Sequence, residues 1–481
     1  MNSRMDFINN FLWRFAERSG AQVVTIIVYI ILSRILNPDD FGRIAIVMVF
    51  TTIMQVFVDS GLGSALIQKK NADDIDFSSV FYFNIVVCLL LYCIIFTLAP
   101  IIAVFFKDEY LTPIIRTLGL IIIISGVQGI QQAYVSKNML FKRFFFSTLG
   151  GAVVSAMIGI IMAYEGYGIW ALVLQQVSNP FVDTIILWIT VKWRPKRLFS
   201  YSRLKTLLSY GWKLLVSYLL NTIYDNLRNL IIGKLYTPAD LAHYNQGARF
   251  PSVLINNINS SIDSVLFPSM SSVQDNKERI MQITRRIIKT STFIIAPMMM
   301  GLAFSAETIV ELLLTSKWLP CVPFMRILCV SYMFYPIHTA NLNAIKALGR
   351  SDIFLRLEVI KKIFGLVVLF ISMWYGVMAM AYSLLLVSVV CQIINSWPNR
   401  KLLNYTYLQQ LRDIFPSIFF SVVMGCTIYP IKFLAVSNLM IIVMQIATGI
   451  LVYLSLSYLF KLEAFGYLIN LIKSKIQKER K

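Results

Sequence analysis

The sequence predicts an all-α polytopic membrane protein of about fourteen transmembrane helices: two six-helix lobes that repeat one another, plus two further helices. Three observations predict it. The 481 residues are 57% hydrophobic and only 14% charged, where a soluble chain carries about a quarter charged residues. Apolar runs long enough to cross a bilayer recur from end to end. One short polar phrase occurs twice, as Arg34-Ile-Leu-Asn-Pro-Asp-Asp-Phe-Gly42 and as Lys234-Leu-Tyr-Thr-Pro-Ala-Asp-Leu-Ala242. The two-residue alternation of a membrane β-barrel is absent.

Helices are expected at about 10–33, 41–67, 79–106, 112–136, 144–164 and 167–191. The second half gives about 207–233, 244–271, 286–306, 322–347, 353–374 and 376–397, and two more follow at about 413–434 and 438–460. The first helix of each half opens on Trp13-Arg14 or Trp212-Lys213 and ends at the repeated phrase. There Pro38 or Pro238 fixes φ and stops the preceding helix, and Asp40 or Asp240 can cap the next one. The sixth helix of each half opens on Tyr167-Gly168 or Tyr375-Gly376. Each ends in a basic Trp/Pro run, Lys192-Trp-Arg-Pro-Lys196 or Trp397-Pro-Asn-Arg-Lys401. The repeat therefore divides the chain into 1–200, 201–405 and a remainder, 406–481, that holds two unpaired helices and a basic tail. Such halves suggest a transporter built around a central site.

The net charge of +20 does not point to nucleic acid, because its cations gather in alternate loops. Lys69 and Lys70, Lys137 to Arg143, Lys192 to Lys205, Lys277 to Lys289, Lys346 to Lys362 and Arg400 to Arg412 all fall on one side. The positive-inside rule makes that side cytoplasmic and puts both termini there. No cleaved leader is expected, because the first apolar run is long enough to remain as a helix. Six cysteines make no Cys-x-x-Cys pair, and the two histidines, His243 and His338, lack metal-ligand spacing. No Walker-type loop occurs and no loop is long enough for a domain, so neither a cofactor nor a metal is expected, and no enzyme.

Four helices carry polar stripes at steps of three and four, which places each set on one face. They are Arg14, Arg18, Gln22, Thr25 and Tyr29; Thr52, Gln55 and Asp59; Ser217, Asn221, Asp225 and Arg228; and Arg249, Asn256, Ser260 and Asp263. These are the first two helices of each half. A charge at the bilayer centre costs about 2.5–3.5 kcal/mol and normally faces a polar interior, so the stripes point to a water-filled cavity. The opposing reading is local: Asp225 and Arg228 pair with each other, and Arg14 and Lys213 snorkel to lipid phosphates. Glu307 and Glu311, in an outer segment, read as a solvated helix face.

Arg18-Ser-Gly-Ala-Gln22, Ser33 to Gly42, Asp59-Ser-Gly-Leu-Gly63 and Asn341 to Gly349, together with the doubled six-helix plan, carry a resemblance over essentially the full length. The chain resembles the Wzx-type oligosaccharide flippases, the polysaccharide transporter branch of the multidrug/oligosaccharidyl-lipid/polysaccharide exporter (MOP) superfamily, and within it the colanic-acid-like and teichuronic-acid-like exporters. The resemblance implies a MATE-like fold in a bacterial cytoplasmic membrane. It also implies a cationic cavity that moves a polyprenyl-diphosphate-linked oligosaccharide to the outer leaflet, in company with membrane lipid and other polysaccharide-assembly proteins. On that reading Arg14, Arg18, Gln22, Lys213, Asn221, Arg228, Arg249 and Asn256 meet diphosphate and sugar. Asp59, Asp225 and Asp263 are the candidates for ion coupling, and they offset part of the positive charge. Two readings compete: a sodium- or proton-driven exporter of drugs or metabolites in the same superfamily, and a membrane glycan polymerase or ligase, for which no sizeable outer loop is visible.

Overall fold

The computed structural model describes the backbone of residues 2–59 and 61–479, and the side chains of those residues except at 2–12, 15, 18, 210, 471–472 and 475–479. Every regular element among them is a helix. Two compact units are present, Met1–Ala242 and His243–Lys481.

The first unit begins with α1 (Asn2–Ile35), α2 (Pro38–Asp59) and α3 (Leu62–Gln68). Then follow α4 (Asp74–Phe106), α5 (Leu111–Lys137), α6 (Phe141–Tyr164), α7 (Ile169–Thr190), α8 (Tyr201–Leu235) and the start of α9 (Pro238–Ser271). Helix α1 packs along α6, α6 along α7, and α4 along α5, while α8 lies against α2, α3 and α4. Both prolines of the repeated phrase start a helix, where a missing N–H costs nothing. The aspartates act differently from the simple cap that the sequence suggests. Asp40 and Asp240 sit two residues inside their helices and reach back. Asp240 accepts from the Thr237 N–H at 3.1 Å and the Thr237 hydroxyl at 2.7 Å, and Thr237 Oγ1 in turn accepts the Asp240 N–H at 3.2 Å. In the first copy the Asn37 N–H reaches Asp40 Oδ2 at 3.4 Å. The second copy is a capping box; in the first, the Asp40 carboxylate reaches back in the same way while the Asp40 N–H donates to the Asn37 carbonyl at 3.1 Å.

The connection between α7 and α8 is not slack. Lys196 N–H donates to Ser78 Oγ at 3.0 Å and Ser200 N–H to Ser79 Oγ at 2.8 Å. Trp193 Nε1 and Lys196 Nζ both reach Asp74, at 3.1 and 2.6 Å. Arg203 grips Asp73 at 2.6 Å. Asp73 also caps α4, and Asp76, fully buried, accepts Lys69 at 2.7 Å. Beneath this network Trp193 stacks on Tyr134 and packs at an angle on Phe77.

The second unit holds the rest of α9, then α10 (Lys277–Phe304), α11 (Ala306–Leu313), α12 (Val322–Tyr332), α13 (Tyr335–Ala347) and α14 (Ser351–Ser372). It continues with α15 (Val377–Ser396), the short α16 (Asn399–Leu402), α17 (Tyr407–Ile428), α18 (Asn438–Leu459) and α19 (Glu463–Glu479). Two 3-10 turns, Ser316–Cys321 and Tyr429–Phe433, interrupt the series. Helix α10 packs on α12, α13 and α17, and α14 on α15. Asn341 is fully buried, and its amide exchanges hydrogen bonds with Gln410 at 2.9 and 3.1 Å and accepts Asn399 at 2.7 Å. The Asn341 to Gly349 motif therefore ties α13 to α16 and α17.

Ten helical stretches among the described residues are long and apolar enough to cross a membrane. The sequence leads one to expect about fourteen. The other four expected spans coincide with α1, α8, α9 and α14. Helices α8 and α9 are striped, and their polar residues dilute their hydropathy; α1, also striped, contributes a shorter apolar stretch, Ser19–Ile35, among the described residues. The fourth, α14, carries Arg356, Glu358, Lys361 and Lys362 in its first half.

Candidate functional site

Two hollows matter, one in each unit. The first, of about 530 Å³, is lined by α2, α3, α4, α5 and α8 and is part polar. Asp59 ends α2 at its wall, with Ser64 of α3, Asn84 of α4, Gln132 and Ser136 of α5, and Tyr218 and Thr222 of α8. Gln55, one turn back, donates to Asp59 Oδ1 at 3.4 Å. Two of the four striped helices, α2 and α8, thus share a cavity, but of their stripes only Asp59 lines it: α8 contributes Tyr218 and Thr222, not Ser217, Asn221, Asp225 or Arg228. Asn84, Gln132 and Ser136 were not singled out in the sequence. The signal for Asn84 was available, as a lone amide within an apolar run.

The other candidates divide. Arg14 is paired with Glu17 at 2.5 Å and lies over the Phe144 ring at 5.0 Å. Glu17 is buried and also accepts the Thr148 hydroxyl at 3.4 Å, so Arg14 and Glu17 together fix α1 to α6. The Arg18 side chain lies outside the described residues. Gln22 and Lys213 are exposed, as are Asn221, Asp225 and Asn256, while Arg228 and Arg249 are half-buried. Asp263 is held by Asn343, whose Nδ2 donates at 2.6 Å.

The second hollow is an apolar groove of about 410 Å³. Pro297, Met298, Gly301 and Leu302 of α10 line it, with Met424 and Ile428 of α17, and Ile446, Ile450 and Leu454 of α18. The two helices without a repeat partner thus form one wall. Glu307, expected on a solvated face, instead bridges two cations at one end of this groove: Arg326 at 2.9 Å and Lys432 at 2.6 Å. The Lys432 hydrogen bond, with help from Arg326, holds its carboxyl below the ordinary range despite partial burial. Farther along the same helices Arg285 and Lys289 share Asp413 at 2.7 and 3.1 Å, and Lys289 also meets Glu463 at 2.5 Å; none of these four lines the groove. Among the described residues no cluster of His, Cys, Asp and Glu has the makings of a metal site.

Residues 31–323 match the model of a family described as polysaccharide biosynthesis protein. The chain belongs to that family. It is 24% identical to the teichuronic acid biosynthesis protein TuaB of Bacillus subtilis over 414 residues, 84% of either chain. It is 24% identical to the succinoglycan biosynthesis transport protein ExoT of Rhizobium meliloti over 322 residues, 67% of this chain and 65% of ExoT. Its fold is similar to that of the lipid II flippase MurJ in an inward closed conformation, with a TM-score of 0.75 and 15% identity, covering 94% of this chain and 98% of MurJ. This family member is a multi-pass membrane protein with a transporter fold.

Proposed function

We propose that the chain is a flippase. It moves polyprenyl-diphosphate-linked oligosaccharide units from the inner to the outer leaflet of a bacterial cytoplasmic membrane, for the synthesis of O-antigen, capsule or exopolysaccharide. Family membership carries this reading, because the family's chemistry meets long polar-faced helices set in an otherwise apolar bundle. A sugar and a diphosphate need a wet, cationic path, and a prenyl chain does not. The 530 Å³ cavity supports the need for polar room, though its one charged lining residue is Asp59 and the cations must come from residues outside its lining; the apolar groove suits the prenyl chain.

In this reading the ten apolar stretches and α1, α8, α9 and α14 make fourteen spans, with both termini cytoplasmic. The repeated lobes, 1–200 and 201–405, rock against each other in ion-coupled alternating access. Helices α17 and α18 of 406–481 shelter the prenyl tail. Arg18, Lys213, Arg228 and Arg249 meet the diphosphate at successive depths, and Gln22, Asn221 and Asn256 meet sugar. Asp59, Asp225 and Asp263 serve ion coupling, and Arg14 anchors α1.

The experiment is to delete the gene and follow lipid-linked oligosaccharide. The reading expects it to accumulate on the cytoplasmic leaflet, and normal arrival at the outer leaflet would end it. In reconstituted protein Arg18→Ala or Arg228→Ala should abolish flipping, and Lys should rescue in part, keeping charge but losing the planar fork. The double variant Asp225→Ala, Arg228→Ala separates phosphate binding, in which it stays inactive, from mere neutralisation, in which it recovers.

A further inference from the structure

Two charged clusters lie along α10 in the second unit, and they are not equivalent. Around Asp413, about two turns of α10 beyond the groove lining, two cations, Arg285 and Lys289, face two carboxylates, Asp413 and Glu463. At the Glu307 end two cations face one carboxylate. The three charges there come from separate elements: Glu307 from α11, Arg326 from α12, and Lys432 from the 3-10 turn after α17. Arg326 Nε also donates to the Ala303 carbonyl at 3.3 Å, and Lys432 Nζ to the Tyr429 hydroxyl at 2.8 Å. Each cation thus has a second partner besides Glu307 that helps hold it in place. The groove wall runs up to them, for Leu302, Ser305, Ile309 and Ile428 line it and stand within about a turn of Ala303, Glu307 and Lys432.

An apolar trough that opens onto an excess of positive charge fits a ligand with a long hydrocarbon chain and a compact anionic head. A carboxylate can hold two such donors, but a diphosphate carries more charge and more acceptor oxygens and so competes well for them. The Glu307 and Arg326 side chains are each 37% exposed, which leaves room for an anion to approach.

We propose that Arg326 and Lys432 form a docking site for the diphosphate of a polyprenyl carrier whose chain lies in the groove. Glu307 is its built-in competitor. It keeps the two cations aimed while the site is empty and lowers the affinity enough for the carrier to leave. The identity of the carrier rests on the flippase reading, and the topology proposed above puts this site at the outer end of the groove.

The test uses the full-length chain in nanodiscs of zwitterionic lipid, with three probes: a sugar-free polyprenyl diphosphate, the matching polyprenol, and inorganic diphosphate. Arg326→Ala and Lys432→Ala should each weaken binding of the prenyl diphosphate about tenfold or more and leave polyprenol binding unchanged. Inorganic diphosphate should bind far more weakly than the prenyl form. Glu307→Gln should tighten prenyl diphosphate binding roughly fivefold, since it removes the competing charge. A structural role alone predicts the opposite sign for Glu307→Gln: lower melting temperature and no gain in affinity. That result, or unchanged affinity in both alanine variants, overturns the site. Binding is read without transport, so the two proposals fail separately. A wild-type chain that binds but does not flip oligosaccharide sinks the flippase reading alone. One that flips with its affinity untouched by these substitutions sinks only this site.

Discussion

Gly42 closes the first copy of the repeated phrase, and it lies against Pro238 of the second. A Cβ added at Gly42 would stand 1.8 Å from the Pro238 carbonyl oxygen, 2.3 Å from its carbon and 2.8 Å from its Cα. All three are backbone atoms, so no side-chain rotation relieves the overlap. Restoring ordinary contact requires the ends of α2 and α9 to separate by about 1.6 Å, more than a close-packed contact tolerates. Nearby, Gly233 is similarly tight against Ile46, and Lys234 donates to the Phe105 carbonyl. If the lobes rock as proposed, this contact belongs to the state in which these helix ends are shut. Overpacking of this kind costs about 1–3 kcal/mol, which shifts a two-state equilibrium about 5- to 150-fold. Gly42→Ala should therefore favour the open arrangement. In reconstituted vesicles, a single cysteine at Asp39 should react faster with an impermeant maleimide in the Gly42→Ala background, and oligosaccharide flipping should fall by about the same factor. If Gly42→Ala flips normally and leaves labelling at Asp39 unchanged, the shut contact has no part in the cycle.

Two further outcomes are expected. Single cysteines near Glu165, Asp240 and Lys432 should label from outside, and those near Lys69, Lys142, Lys196 and Lys401 should not; outside labelling at Lys196 would overturn the topology. The Arg203 contact pushes the Asp73 carboxyl down to about 2, below its unfolded value of about 3.9. A depressed pKa gives stability that is present above the unfolded value and lost as pH falls toward about 2. Both side chains are well exposed, so the effect is small. Asp73→Asn keeps an acceptor for the α4 cap and removes the charge, so the melting temperature should change less between about pH 4 and 2 than in the parent chain. An unchanged profile would remove the pair from the acid response.

The apolar runs were legible because hydrocarbon thickness leaves few options for a backbone that must bond to itself. The repeated phrase was legible because proline and a following aspartate have narrow uses at a helix start. Periodicity assigns a residue to a face but does not name what the face meets. Arg14 shares a stripe with Gln22, yet its partner is Glu17, three residues on and outside the stripe as read. Asn341 sits in a recognisable motif, yet it works through Gln410 and Asn399, which belong to helices far along the chain. The cation pair on Glu307 draws on residues 307, 326 and 432, a spacing that no local pattern carries. Such contacts are tertiary choices among polar groups that sequence distance leaves open.

The stripes join these two kinds of information. Helices α8 and α9 run 35 and 34 residues, yet neither is apolar enough to stand among the ten candidate spans. A stripe that merely paired within its own helix would gain nothing from recurring at matching places in both halves. Helices α2 and α8 share one part-polar cavity, which Asp59 of the α2 stripe lines together with Tyr218 and Thr222, the residues that follow Ser217 and Asn221 of the α8 stripe. Water or a polar cargo there satisfies groups that lipid would leave unpaired, at several kcal/mol each. The hollow accounts for Tyr218 and Thr222 of α8, while Ser217, Asn221, Asp225 and Arg228 lie outside its lining and must find polar company elsewhere.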